Sequence, residues 1–268
     1  RIKEELTGVI FHQPGFNADE GWVNADEYLS GNVVEKLKAA RRASVLKPEY
    51  EVNVKALEAV QPEKIESADI YIRPGATWVD KQYYEQFMYE TFELTYRKRQ
   101  KIKIEYSPAT SKWFITNKSM VEAGDVKANM EYGTQRVNAY AIFEDTLNLK
   151  DTKVYDTNIV NGKSVRELNA KETTLAQQKQ TAVKEAFQDW IFKDPERRNA
   201  LTDKYNRLFN CNRARKFDGS FLTFPGMNEE ITLRQHQKDA VARILFGGNT
   251  LLAHEVGSGK TFAMAAGA

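Results

Sequence analysis

The sequence predicts an α+β chain in two parts. Residues 1–225 read as a mainly helical accessory domain with a small antiparallel sheet, a subdivision near residue 165 being left open. Residues 226–268 read as the first strand, glycine loop and helix of an α/β lobe that is cut short. Three observations predict this. Apolar residues recur at helical spacing through Lys171 to Phe192. Charge and bulk alternate from Lys101 to Tyr106. The apolar run Leu251-Leu252-Ala253 leads into Gly257-Ser258-Gly259-Lys260-Thr261 and an Ala-rich segment.

Taken in order, the first 25 residues hold Gly8, Pro14, Gly15 and Gly21, which break regular structure. Asn24 or Asp26 is suited to cap a short helix through Leu29, with Gly31 ending it. Asn32 to Val45 is an amphipathic helix, with Val33, Val34, Leu37 and Ala40 on one face and Lys36, Lys38, Arg41 and Arg42 on the other. A second helix follows Pro48, with Val52, Ala56, Leu57 and Val60 inward. Ile70 to Ile72 reads as a short strand, and Pro74-Gly75 turns the chain. Asp80 caps a helix through Phe92 whose Tyr83, Tyr84, Phe87 and Met88 are read as core rather than as a base-stacking platform.

Lys101 to Tyr106 and Trp113 to Thr116 form a hairpin across Pro108 to Ser111. Thr134 or Gln135 to Leu147 is a helix. Lys153 to Val160 is a strand ending at an Asn161-Gly162 turn. In the long helix, Leu175, Val183, Ala186, Phe187 and Trp190 share a side. Asp194-Pro195 then restarts a helix to about Phe209. A loop with Gly219, Pro225 and Gly226 marks a domain boundary near 218–230. No internal repeat or low-complexity tract is present.

Composition is that of an ordinary globular chain: 41% hydrophobic, 28% charged, net charge +2 over 268 residues. No apolar run approaches the roughly 20 residues that span a bilayer, and no signal pattern opens the chain. It starts at Arg1, so it is expected to begin inside a longer protein or to have been trimmed. The lone Cys211 excludes an internal disulfide and suggests a reducing, cytoplasmic setting. His12, His236 and His254 lie too far apart for a structural zinc spacing. Basic residues crowd at Arg97, Lys98, Arg99, Lys101 and Lys103, and outnumber acidic ones from Lys193 to Lys216. Such stretches can meet phosphates, but a solvated face is the plainer reading.

The chemistry lies at the end of the chain. Strand, glycine loop and helix together make a phosphate-binding loop. Backbone N–H groups point inward, Gly257 and Gly259 allow the dihedrals, Ser258 sits between them, and the helix start adds its positive end. Lys260 reaches β- and γ-phosphates, and Thr261 offers its hydroxyl to Mg²⁺. Upstream, Gln237 presents a carboxamide that can read an adenine edge. His254 stands where the common pattern has a glycine, and reads as a loop residue rather than a catalytic base.

Leu233-Arg234-Gln235-His236-Gln237 resembles the adenine-sensing Q motif of superfamily-two helicases. LLAHEVGSGKT resembles motif I of the Swi/Snf-like branch, matching at Ala253, Glu255, Gly257, Gly259, Lys260 and Thr261 and departing at His254, Val256 and Ser258. GWVNADEYLSGNVVEKLKAA, YYEQFMYE, DWIFKDPERRNALTDKYNRLFN and FDGSFLTFPGMNEEITLRQHQ resemble very large bacterial mobile-element proteins. These join an adenine-specific DNA methylase to a Swi/Snf-like helicase, and this chain resembles the region between the two, ending just after motif I. The resemblance implies a RecA-like lobe, ATP and Mg²⁺ as cofactors in the intact parent, and duplex DNA plus the methylase and remaining helicase lobes as partners. It implies no membrane partner. The methylase signatures are absent, with no Pro-Pro pair, so methyl transfer is not expected of these residues. The acidic motif and arginine that ATP hydrolysis needs would come later in sequence, so the chain alone is expected to lack ATPase activity.

Overall fold

The computed structural model describes residues 6–17, 19–122, 124–160, 163–228 and 230–268. The fold is α+β, mainly helical, and its four sheets among the described residues are all two-stranded and antiparallel. The chain forms two compact units. One combines Arg1–Lys64 with Asn206–Ala268, and the other is Ile65–Tyr205. The stretch 218–230 lies inside the first.

The first unit opens with a hairpin where the glycines predicted no regular element. Strand β1 (Ile10–His12) pairs with β2 (Trp22–Asn24). The Gln13 N–H donates to the Gly21 carbonyl at 2.9 Å, and Gly21 takes φ +73° beside Phe16. These glycines shape the connection between strands instead of preventing them. Asn24 caps helix α1 (Ala25–Tyr28), accepting from the Glu27 N–H at 2.9 Å. The Lys36 ammonium then closes this short helix by donating to the carbonyls of Glu27, Tyr28 and Ser30 at 3.0, 2.9 and 2.8 Å. These are carbonyls a helix end leaves unpaired. After β3 (Gly31–Asn32), helix α2 (Val33–Leu46) starts on the Asn32 cap, as its spacing predicts. A 3₁₀ turn at Pro48–Tyr50 leads into α3 (Glu51–Glu58) and sets its rotation, so that Asn53, Val54 and Leu57 face inward. Val52, expected inward, is exposed. Phe11, Tyr28, Val33, Leu37, Ala40, Val54 and Leu57 make this core.

The central unit is built on aromatic residues. Ile70 and Ile72 are buried, yet no ladder forms there, so the expected strand is absent; the Ile72 carbonyl instead accepts from Gln188 Nε2 at 2.6 Å. Helix α4 (Lys81–Thr91) buries Tyr84, Phe87 and Met88, the core role its stripe predicts. Helix α5 (Tyr96–Lys101) is followed by the expected hairpin, β4 (Ile104–Ser107) with β5 (Lys112–Ile115). A π-helical turn occupies Lys127–Glu131. Helix α6 (Ala139–Leu147) starts later than its apolar spacing suggests, because the Asn138 side chain caps it by accepting from the Ala141 N–H at 3.0 Å. Strands β6 (Tyr155–Val160) and β7 (Lys163–Leu168) pair antiparallel, and the Asn161-Gly162 turn lies outside the described residues. Helix α7 (Ala170–Ile191) buries Val183 and Phe187, while Leu175 is exposed. The Asp194 carboxylate caps α8 (Pro195–Phe209) by accepting from the Arg197 N–H at 2.7 Å.

Phe87 is fully buried and its ring lies 5.2–6.0 Å from those of Phe92, Phe143, Phe187 and Trp190. Offset and edge-on contacts of this kind contribute beyond plain area burial. The buried Gln180 side chain accepts from the Thr152 N–H and donates to the Lys150 carbonyl at 2.7 Å, joining α7 to the end of α6 with its polar atoms satisfied.

The chain returns to the first unit through β8 (Asn212–Arg213), antiparallel to β3 with Gly31 opposite Arg213 and Asn32 opposite Asn212. Helices α9 (Gln235–Gly247) and α10 (Lys260–Gly267) follow. The parallel strand expected at Leu251–Ala253 does not form, and no RecA-like parallel sheet is present among the described residues. An apolar run becomes a buried strand only with neighbours on its ladder. Leu251 has none and is 84% exposed.

Candidate functional site

The glycine loop is formed. Gly257 has φ +86° and Gly259 φ +79°, the left-handed region that residues with a Cβ avoid. Between them the Ser258 N–H donates to the Glu255 carbonyl at 3.3 Å, closing a turn. Gly259 is the N-cap of α10, and the Phe262 and Ala263 amides return to its carbonyl at 3.1 and 3.3 Å. The first N–H groups of α10, at Lys260 and Thr261, have no acceptor within the helix and sit at its positive end. This geometry suits an anion, and the residues expected to hold a triphosphate are adjacent on it.

The Lys260 side chain folds back over the loop. Its ammonium donates to the His254 carbonyl at 2.7 Å and, more weakly, to the Glu255 carbonyl at 3.5 Å. A phosphate would have to exchange for these carbonyls. Thr261 is exposed at the start of the helix, so its hydroxyl is accessible to a solvated cation.

Gln237 is placed differently from its expected adenine-reading role. It is buried, and both ends of its carboxamide are in use within the protein. Its oxygen accepts from the Arg234 N–H at 2.8 Å, and its nitrogen donates to the Gly259 carbonyl at 3.1 Å and toward the Ser258 carbonyl at 3.4 Å. The amide thus ties the first turn of α9 to the glycine loop. His236 does the same from the neighbouring position, its Nε2–H donating to the Ser258 carbonyl at 3.0 Å. Its ring meets that of His254 edge-on at 5.6 Å. The sequence reading did not give His236 this role, although it adjoins Gln237. A cavity of about 210 Å³ opens beside these contacts, lined in part by Leu233, Arg234, Gln237, Gly259 and Phe262.

Several residues of the basic stretches are occupied within the protein. The Lys98 side chain is buried, paired with Asp125 and also near Glu122. Arg99 donates to the Leu94 carbonyl and lies over Tyr89, as does Lys103. Farther along, Arg197 donates to the Ile191 and Trp190 carbonyls and stacks on the Trp190 ring at 3.5 Å. Lys204 pairs with Asp80, and Arg213 donates to the Leu29 carbonyl. A lysine or arginine count cannot separate such internal partners from a phosphate-facing row.

A second pocket, of about 190 Å³, was not legible in the sequence. His12, Trp22, Tyr50 and Asn53 line it. The His12 Nε2–H donates to the Asn17 carbonyl at 2.8 Å, which leaves Nδ1 to accept from the Tyr50 hydroxyl at 2.7 Å. His12 and Tyr50 satisfy each other within it. Elsewhere among the described residues, no group of three or more His, Cys, Asp or Glu side chains is arranged to hold a metal ion. Cys211 is a buried free thiol. Among the described residues, no helix is long and apolar enough to cross a membrane.

No curated protein matches the chain, and no solved structure does either. One family model matches residues 73–211, more than half of the chain, and ends before the glycine loop. The chain therefore belongs to the family described as a domain of unknown function, DUF8437.

Proposed function

We propose that the glycine loop binds the phosphates of ATP with Mg²⁺, and that the chain is part of a DNA-dependent, helicase-like translocase associated with an adenine-specific DNA methylase. In this reading Gly257, Ser258 and Gly259 present backbone N–H groups to the phosphates. Lys260 leaves the His254 carbonyl to meet the β- and γ-oxygens, and Thr261 ligates the magnesium. Gln237 acts by holding the Gly259 carbonyl, and so positions the loop rather than being a free base reader. The observation that carries the reading is the pair of left-handed glycines leading into α10 with the lysine ammonium over the loop carbonyls. ATP, Mg²⁺, duplex DNA and the methylase and remaining helicase lobes of the parent chain are the implied cofactors and partners.

For the residues before the loop, the internal pairing of Lys98, Arg197, Lys204 and Arg213 favours a spacer between methylase and motor over a broad DNA-binding face. Titration of the chain with a fluorescent ATP analogue and Mg²⁺ tests the nucleotide reading. Saturable binding is expected, weakened about tenfold or more by Lys260→Ala through loss of a charge-assisted contact. Equal affinity in the two proteins would overturn it.

A further inference from the structure

We propose that a further cleft of the first unit, beside the glycine loop but not lined by it, is an oxyanion site that takes a phosphate group. The cleft has a volume of about 390 Å³ and is lined by Arg215, Phe217, His236, Asp239, Arg243 and His254, with none of Gly257–Thr261. Two buried side-chain nitrogens on its lining residues lack a hydrogen-bond partner, Arg215 Nε and His254 Nδ1. A guanidinium nitrogen can only donate, so the buried Arg215 Nε–H points to a missing acceptor, and His254 Nδ1 leaves a second polar atom open on the same cleft.

The charges agree. Arg215 and Arg243 both lie against the Phe217 ring, with their guanidinium carbons 4.8 and 5.6 Å from its centroid. Gathered about one ring, two guanidinium charges favour an anion beside them. Two carboxylates stand nearby, and neither meets Arg215 Nε. Asp239 already accepts from the Gly219 N–H at 2.9 Å and from Gln235 Nε2 at 2.7 Å. Glu27 reaches only the Arg215 terminal nitrogen, at 3.6 Å. The polar lining comes from three places in the chain: Arg215 after β8, Arg243 on helix α9 and His254 in the segment leading to the glycine loop. A tetrahedral oxyanion can meet donors arriving from several directions, whereas a planar carboxylate is best met by a single fork. A nucleic-acid backbone and free phosphate share this chemistry.

The test is calorimetric titration of inorganic phosphate into the Lys260→Ala chain, which removes the ammonium of the glycine loop and keeps every side chain that lines the further cleft. One phosphate should bind there, about tenfold more weakly when Arg243→Gln or Arg215→Gln is added. Arg243 is exposed, so its variant folds even if loss of Arg215 disturbs the contact with Glu27. Absence of binding in Lys260→Ala, or affinity unchanged by both arginine substitutions, overturns the proposal. Failure of ATP binding by the wild-type chain would leave it standing. A short duplex competing at equal phosphate concentration identifies the source: displacement means backbone phosphate and no displacement means free phosphate, and both outcomes support the site.

Discussion

The central unit and the glycine-loop end of the first unit spend their apolar residues in opposite ways. In the central unit, Tyr84, Phe87, Met88, Phe143 and Phe187 are fully buried and ring meets ring. At the glycine loop, Leu251 and Val256 are 84% and 99% exposed, and α10 buries only Ala263. The loop is held by hydrogen bonds from Gln237, His236 and Lys260 to backbone carbonyls rather than by a core. The difference teaches where each kind of order resides. Burial stabilises the central unit, whereas polar contacts shape the glycine loop.

Four substitutions break or sharpen that contrast. Phe87→Ala should cost about 3–5 kcal/mol, because it opens a cavity among four rings; chemical denaturation measures it. Asp125→Asn should cost about 2 kcal/mol near neutral pH, less than for a fully buried pair because the carboxylate is partly exposed. Burial alone would raise the Asp125 carboxyl, but hydrogen bonds from Lys98 and the Glu122 amide outweigh it and hold the group below the usual carboxylate range. With the folded value depressed, the stabilisation is complete above the ordinary carboxylate range and is lost as pH falls through the folded value. Stability measured against pH should therefore fall less steeply on the acid side in the variant.

Gly259→Ala should cost about 1–2 kcal/mol locally, since its φ is left-handed. The added Cβ would also stand 2.3 Å from Gln237 Nε2. Amide exchange around the loop, together with ATP-analogue affinity, reads both effects, and unchanged affinity would mean that the Gln237 contact does not shape the site. Val256→Ser should change stability by less than about 0.5 kcal/mol, because an exposed side chain has little packing to lose.

Elements with a strong period were legible beforehand. Helices α2 and α7 and the β4–β5 hairpin follow from spacing, and Asp194 acts as the expected cap. The glycine loop was legible because its conformation is local: two glycines and a following helix former suffice. What failed depended on partners. Leu251–Ala253 has the composition of a buried strand, but composition cannot supply the neighbouring strand. Glycines at the β1–β2 connection looked like breakers because the pairing of His12 with Trp22 is not written in either segment alone. Gln237 was marked as functional, but its actual acceptor, the Gly259 carbonyl, required the fold.

The pairing of β3 with β8 bears on the order of assembly. Arg213 donates to Leu29 across 184 positions, so this unit closes one of the longest loops the chain can make. Such closure carries an entropic cost that nearby contacts do not, and it slows folding. During synthesis the N-terminal segment must wait, with its hairpin and helices made but its edge at Gly31–Asn32 unmatched, until the whole intervening stretch has left the ribosome.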